Sequence, residues 1–472
     1  MNDIITGIDS VVNLISGKLY DPWVPVLLLV AGLVFTLATG FIQLRMLAES
    51  LRVVTEKPKT EGGISSLGAL LISTASRVGT GNIVGVSSAI CLGGPGAVFW
   101  MWMVALLGGA SAFIESTLAQ IYKRRNPDGS GYGGPSYYIE AGLHQRWLGV
   151  IFAVIIILTY AVGYNMLASY NLQSAFSGFA FYNSSTPLII GIVLAVLFMA
   201  CVMGGAHRLT KVTGVLVPVM GVIYVAVALL VMVMNFNLLP GVLGMIFTNA
   251  FDFQAIFGGF AGSCLMHGVK RGLYSNEAGM GSAPNAAASA DVSHPVKQGL
   301  VQMLSVFIDT LLICSATAFM CLCSGVAPDA ELAGAPYVQA ALGNMFGSFG
   351  PIFIAVSMAL FAFTTLIGNY YYCEGCLRFI FNRAPGKAFM TGFRIAAAVL
   401  VLLGAVISMN LAWNTADLCQ ALMVVINVPV ILLLVKPALA ALRDYNVQRR
   451  AGRDPEFRAA AINLKQRTDF WN

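Results

Sequence analysis

Arg77-Val78-Gly79-Thr80-Gly81-Asn82-Ile83-Val84-Gly85 interrupts an apolar run that extends from Leu67 to Leu92. The run is long enough to cross a bilayer, which takes about 20 residues in a helix. Yet two glycines and an asparagine stand where a plain spanning helix would carry Leu or Val. Hydrocarbon does not tolerate unpaired backbone amides unless they are buried in protein or line a polar cavity. A helix that opens here presents N–H and C=O groups to something that needs them, and a solute or an ion is what such a break usually serves.

Composition agrees with a membrane setting. The chain is 58% apolar and only 10% charged over 472 residues, and its mean hydropathy is +0.79, which excludes an ordinary soluble domain and any disordered class. Eleven spans are expected: Trp23–Leu44, Ile64–Leu92, Ala97–Tyr122, Leu148–Phe176, Leu188–Met203, Val212–Met234, Phe253–Leu273, Val296–Leu322, Ile352–Phe379, Phe389–Met409 and Leu418–Val435. Of the 27 Lys and Arg, 20 fall in the first-to-second, third-to-fourth, fifth-to-sixth and ninth-to-tenth connections or in the C-terminal tail, and five more (Lys270, Arg271, Lys297, Arg378 and Arg394) lie toward the ends of the seventh to tenth spans that face the same side. The positive-inside rule then puts the N-terminus outside and the C-terminus in the cytoplasm of a plasma (inner) membrane protein. The exceptions are Lys18 and Arg77. The net charge of +6 reads as topology plus attraction to anionic headgroups of the lipid bilayer, with no sign of nucleic-acid binding.

No removed signal peptide is expected in Met1–Tyr20, which is partly acidic and lacks a basic–apolar–cleavage pattern. Eight of the nine cysteines lie in spans and Cys323 stands one residue beyond one, and most of them read as packed small residues. Cys373 and Cys376 have C-x-x-C spacing without a thioredoxin-like context. The four histidines do not cluster at a metal-ligand spacing, and no nucleophile elbow or phosphate loop occurs, so the chain does not read as an enzyme.

The seventh span supplies a second irregular segment, Gly258-Gly259-Phe260-Ala261-Gly262, before turning polar at His267-Gly268-Val269-Lys270-Arg271. It lies five spans after the first and runs in the opposite direction. That pairing points to an inverted-repeat transporter, although Gly258–Gly262 alone also suits a G-x-x-x-G packing face. The fold expected is an all-α integral membrane protein of eleven helices in a five-plus-five inverted repeat. Residues 1–62 hold an extra helix, 63–235 the first repeat with a break at 78–82, 236–436 the second with a break near 258–268, and 437–472 a basic cytoplasmic tail.

A zwitterionic amino acid suits such a pair of breaks. Amides of Thr80, Gly81 and Asn82 at the start of an outer half-helix would take its carboxylate. The glycines Gly258 and Gly259 would let backbone carbonyls approach its ammonium. A hard monovalent cation asks for oxygen ligands. Thr364 and Thr365 in the ninth span, with the carbonyls of Ala75 and Val78, would make a charge-free cage, unless those hydroxyls only bond back to their own helix. A coupling proton would instead need a midplane carboxyl, for which Glu115, Asp309 and Glu374 are candidates, with Arg77 as counter-charge. An unpaired Arg77 would be costly, so a carboxylate or carbonyl partner, or a water-filled inner vestibule, is expected beside it.

Beyond the seventh span comes Arg271-Gly272-Leu273-Tyr274-Ser275-Asn276-Glu277-Ala278-Gly279-Met280-Gly281-Ser282-Ala283-Pro284. It closely resembles the signature of the alanine/glycine:cation symporter family, as do Val78–Val86, Gly93–Trp102 and Gly133–Glu140. The resemblance runs through all eleven spans in order. It implies a prokaryotic importer of small neutral amino acids coupled to Na⁺, with no organic cofactor, as a monomer or weak oligomer, and a fold like that of the sodium-dependent bacterial leucine transporter. By the same resemblance Thr80, Gly81 and Asn82 would touch substrate, and Ala75, Val78, Thr364 and Thr365 would hold sodium. Glu277, Gly279, Gly281 and Pro284 would fix a cytoplasmic turn beyond the seventh span and gate the inner mouth together with Arg77. Two departures bear on the solute. The fourth span reads Asn165-Met166-Leu167-Ala168-Ser169-Tyr170-Asn171-Leu172-Gln173 where many members have Gln-Ala-Asn-Ser, so either Asn165 or Gln173 could face the pocket. Asn369 stands where many have Trp, which would enlarge the pocket for glutamine or serine beside alanine. A proton-coupled carrier or exporter, a passive channel and a nutrient sensor remain alternatives.

Overall fold

The computed structural model describes residues 2–472 except 21, 253–258, 260–261 and 465–467, and the side chains at 2–6, 8 and 205–211 are also outside the description. The chain is helical almost throughout. Helices α1 (Asn2–Tyr20), α2 (Trp23–Ala38) and α3 (Leu47–Val54) precede α4 (Ser66–Arg77), whose first turn is capped by the Ser65 side chain accepting from Gly68 N at 3.1 Å. Next come α5 (Val84–Gly93), α6 (Gly96–Ile121), a two-stranded hairpin of β1 (Arg124–Arg125) and β2 (Gly131–Tyr132), and α7 (Pro135–Leu143). Helix α8 (Arg146–Ser174) contains a π-helical turn at Leu158–Tyr164. It is followed by α9 (Thr186–Val202), α10 (Gly205–Met234), α11 (Leu239–Ala250), α12 (Cys264–Asn276) and the short α13 (Ala283–Ala287). Helix α14 (Pro295–Leu322) carries a second π-helical turn at Phe307–Cys314. The chain ends through α15 (Ala335–Phe346), α16 (Phe349–Phe381), α17 (Lys387–Val406), α18 (Met409–Leu433) and α19 (Val435–Arg450).

Among the described residues, eight helices are long and apolar enough to cross a membrane, and Thr80–Gly93, Thr186–Val202 and Phe236–Ala250 are shorter apolar helices. The core lies where α6, α12 and α14 meet, with α4 and α5 against them. Leu and Val side chains of α9, α10 and α17 point outward instead, as lipid-facing helices require. Helices α11 and α15 occupy connections for which the sequence reading assigned no element.

The seventh expected span needs correction. Helix α12 runs unbroken from Cys264 through His267, Lys270 and Arg271 to Asn276, so no break lies at 264–268. The helix opens instead at Glu277–Ser282, where Glu277, Gly279 and Gly281 take φ of 55°, 84° and 85°, and it restarts at α13 with Pro284 in the first turn. These residues are buried, so the segment read as a cytoplasmic turn lies inside the protein. The polar run at 267–271 is no exit from the membrane either. Arg271 pairs with the buried Asp417 of α18 at 2.9 Å, and Lys270 lies 3.9 Å from the same carboxylate.

The tail is also not a free basic extension. Phe457 N donates to Ser293 O (3.0 Å), Trp471 Nε1 to Gln120 O (2.8 Å), and Lys297 pairs with Asp454 (2.7 Å).

Candidate functional site

The first break is fixed by its own asparagine. Val78 leaves the helix at ψ 89°, Gly79 is extended, and a single 3₁₀ turn at Thr80–Asn82 leads into α5. Asn82 Oδ1 accepts Gly79 N at 2.8 Å, closing the turn. Its amide Nδ2 reaches Asp309 Oδ1 (2.8 Å) and Ser275 Oγ (3.0 Å), while Asn82 O accepts the Thr317 hydroxyl (2.6 Å). Asn82 is therefore spent on holding the break to α12 and α14, and does not project free donors toward a solute.

Neighbouring backbone groups remain unused. Among the described residues, no hydrogen bond is received by the carbonyls of Ala75, Ser76, Arg77 or Val78, and none is given by the N–H of Thr80 or Gly81. Buried backbone groups are almost always paired, so this cluster is an exception that asks for a ligand. The Thr365 hydroxyl is buried, has no partner, and lies so close to Gly79 that a Cβ there would overlap it. Thr364 Oγ1 donates back to Leu360 O (3.0 Å) and Phe361 O (3.1 Å) on the side of Met220. A hydroxyl that donates in this way keeps its lone pairs.

At the second break the backbone is met by side chains. Glu115 of α6 accepts from Gly281 N (3.1 Å) and Gly279 N (3.4 Å), and Asn427 Nδ2 reaches both Glu115 Oε2 and Gly279 O at 2.9 Å. Ala278 N goes to Asn276 Oδ1 (3.0 Å). Glu277 joins the two breaks, accepting from Ser76 Oγ (3.2 Å) and Ser282 Oγ (2.7 Å). The carbonyls of Ala278 and Met280 receive no hydrogen bond among the described residues.

Among the described residues Arg77, 2% exposed, finds only carbonyl partners: the Gln302 backbone and side-chain oxygens, both at 3.4 Å. Its Nε and Nη2 have none among them. Glu115, Glu277 and Asp309 stand around it, and among the described residues none forms an ion pair with it.

Asn369 sits beside the first break, its Oδ1 receiving Ser76 Oγ (2.9 Å) and its Nδ2 donating to Asn165 Oδ1 (3.0 Å). Of the two fourth-span amides expected near the pocket, Asn165 is thus brought in. Gln173 instead receives the Tyr182 hydroxyl (2.7 Å), and Asn171, which the sequence reading did not single out, donates to Thr80 Oγ1 at 3.1 Å. Gly259 is exposed, with nothing near it, and forms no part of the site; Gly258 lies outside the described residues.

Aromatic side chains cover Gly81. The Tyr274 ring lies on Gly81, whose added Cβ would fall 2.5 Å from its Cε1. Tyr274 packs edge-on against Tyr164 and Trp413, with the Arg271 guanidinium 3.9 Å above the Trp413 ring. The sequence signals for this cover are the aromatic Tyr274 and the acidic Asp417, which stands one residue before the eleventh expected span and proves to lie within α18.

Broken helices enclosed by apolar spans define a multi-pass membrane protein, and its fold has a solved counterpart. The structure of MhsT in complex with L-phenylalanine matches with a TM-score of 0.54 at 17% identity, covering 82% of this chain and 93% of that one. The model of the sodium:alanine symporter family matches residues 5–459, and the chain belongs to that family of secondary transporters. Two Bacillus subtilis relatives are similar over nearly their whole length. The amino-acid carrier protein AlsT is 45% identical over 98% of this chain and 97% of its own. The probable sodium/glutamine symporter GlnT is 43% identical over 98% and 96%.

Proposed function

We propose that the protein imports small neutral amino acids together with Na⁺ across the plasma membrane of a prokaryote. The observation that carries this reading is the pair of unused backbone sets at the first break. The free N–H groups of Thr80 and Gly81 head an outer half-helix and suit the carboxylate of the solute. The second break offers the Ala278 and Met280 carbonyls to its ammonium. The Ala75 and Val78 carbonyls with Thr365 suit a monovalent cation, and Thr364 can add its lone pairs. Supporting the ion and the solute in turn are the family's name and that of GlnT.

In this reading eleven spans cross the bilayer, an extra one preceding two inverted sets of five over residues 63–235 and 236–436. The N-terminus lies outside and the tail inside. Ion and solute bind side by side, so each raises the other's affinity by the same factor. Tyr274, Tyr164 and Trp413 close over them from outside, and release follows when the inner half-helices α4 and α13 part. Asn165 and Asn369, an amide pair where a bulky wall is common, favour a solute with a polar side chain such as glutamine beside alanine.

A second reading couples transport to protons, favoured by Glu115, Glu277 and Asp309 gathered around Arg77. Uptake of labelled amino acids into proteoliposomes under an imposed Na⁺ gradient decides between them. Accumulation that follows Na⁺ and is competed by alanine and glutamine is expected. Accumulation that ignores Na⁺, follows a pH gradient and requires Glu115 or Asp309 would replace the first reading by the second.

A further inference from the structure

Beyond the second break, α13 ends at Ala287 and the chain turns through Ser289. A cavity of about 250 Å³ opens here, near the lower end of ~300–1,000 Å³ ligand pockets. Asn285 and Ser289 form one wall, and Tyr371, Glu374 and Arg378 from the last turns of α16 form the other. The β1–β2 hairpin covers it. Asn285 Nδ2 is tied to Gly281 O (3.3 Å) and Ser282 O (2.8 Å), so the cavity begins one turn from the break where the solute is held.

Its charges are arranged unusually. Glu374 and Arg378 stand four residues apart on one helix face, the spacing at which opposite charges normally pair. Among the described residues no ion pair joins them, and the Glu374 carboxylate receives no hydrogen bond. The Arg378 guanidinium turns away to Asn126 Oδ1 on the hairpin and lies 5.0 Å over the Tyr132 ring. One cavity therefore presents the Glu374 carboxylate and the Arg378 guanidinium, which hydrogen-bonds a neutral amide, with Asp128 on the hairpin as a second carboxylate that accepts from Ser130 N (2.9 Å) and Oγ (2.6 Å). Amide and hydroxyl side chains of Asn285, Ser289 and Tyr371 complete the lining. That is the complement of a zwitterion.

The hairpin is built to lie flat and to be held from behind. Its residues pair Arg124 with Tyr132 and Arg125 with Gly131. Gly131 rests on the Ala288 carbonyl, from which an added Cβ would be 2.8 Å away. Behind it, Arg125 N donates to Asp469 Oδ2 of the tail at 3.1 Å, and the Arg125 guanidinium covers the Phe470 ring at 4.2 Å.

We propose that this cavity is a second subsite for the transported amino acid, occupied on its way to the cytoplasm. Glu374 receives the ammonium and Arg378 the carboxylate, and the hairpin is a lid that loosens when Arg378 exchanges Asn126 for the solute. The proposal rests on the amino-acid symport reading above.

The test compares the two faces of the carrier in proteoliposomes, using labelled alanine at known orientation. Wild type is measured first, and failure to accumulate alanine under a Na⁺ gradient would overturn the symport reading and this subsite with it. Given accumulation, Glu374→Gln and Arg378→Gln should each raise the internal half-saturation for alanine exchange about tenfold, with external half-saturation within about twofold of wild type. Arg378→Lys should recover part of the loss. Internal and external values that rise together, or internal values that do not move, would overturn the subsite. Gly131→Ala touches neither charge and tests the lid even if a charge variant fails to fold. It should speed exchange with internal half-saturation unchanged, and an unchanged exchange rate would overturn the lid.

Discussion

The two breaks look alike in outline and differ in what holds them. At the first, the backbone is opened by Gly79 and closed on itself by Asn82, leaving two N–H groups and four C=O groups unused. At the second, Glu115 reaches in from α6 and accepts from the amides of Gly279 and Gly281, while Asn427 of α18 donates to the Gly279 carbonyl. The first is thus a site with capacity to spare, whereas the second is a structural joint whose donors are already engaged. Substitutions at the first should act on transport, and substitutions of the side chains that hold the second on folding, its spare groups being the Ala278 and Met280 carbonyls.

The largest effect is expected at the closest contacts of the first break. Gly81→Val would drive a branched side chain into the Tyr274 ring. It should abolish uptake, by at least about 100-fold, while the purified protein still folds, because a surface made to fit a ligand loses more from misplacement than a core does. Uptake within tenfold of wild type would mean that Tyr274 does not close over the break. At the second break, Glu115→Leu strands two buried N–H groups and removes one of the two acceptors of the Asn427 amide, at about 1–3 kcal/mol for each unsatisfied group. The expected result is loss of folded protein in a detergent thermal-stability assay, with Glu115→Gln, which keeps an acceptor, less affected. A stable Glu115→Leu variant with impaired proton dependence would move Glu115 from joint to proton carrier.

Smaller effects sharpen the assignment of ion and solute within the first break. Thr365→Val removes an unpartnered hydroxyl at nearly constant shape and should raise the Na⁺ half-saturation about tenfold, equivalent to about 1.4 kcal/mol. Thr364→Val removes a hydroxyl whose proton is engaged with its own helix, and a rise as large would show that its lone pairs also reach the ion. Asn369→Trp should abolish glutamine uptake and retain alanine uptake; retained glutamine uptake would dismiss Asn369 as a wall of the pocket.

How far these regions could be read from sequence also separates them. The first break announces itself because Gly79, Thr80, Gly81 and Asn82 interrupt an otherwise apolar run. The second was misplaced because Glu277–Ser282 is polar and glycine-rich, so by hydropathy it resembles a loop after the membrane. Only burial distinguishes such a turn from a loop, and hydropathy carries no information about three-dimensional burial. Lys270 and Arg271 strengthened the error, since cations count toward a cytoplasmic connection unless their partner Asp417, 146 residues beyond Arg271, is known. In α8 the obstacle was phase. The π-helical turn at Leu158–Tyr164 shifts the residues after it relative to a 3.6-residue period, so a helical wheel cannot decide that Asn171 faces Thr80.

The smallest effect concerns the docked tail, far from both breaks, and gives the comparison an internal control. His294 is buried between the Tyr445 and Phe457 rings, 3.2 Å from Asp444, with Lys297 and Asp454 as the other charges nearby. Burial lowers its pKa below the usual imidazole value of 6.5, although Asp444 opposes the shift. As pH falls through 6.5, the undocked form therefore takes up a proton before the docked form does, and the tail contact weakens. Its stability is complete above that range and is lost on acidification. The emission of Trp471, isolated as the difference between wild type and Trp471→Phe, should report this undocking between neutral pH and about pH 5, and His294→Asn should flatten the transition. Because neither break touches His294, Na⁺ half-saturation should stay constant over the same interval. If it rises in step with tail release, the tail and the first break are coupled, and the division between a gripping region and its structural supports does not stop short of the tail.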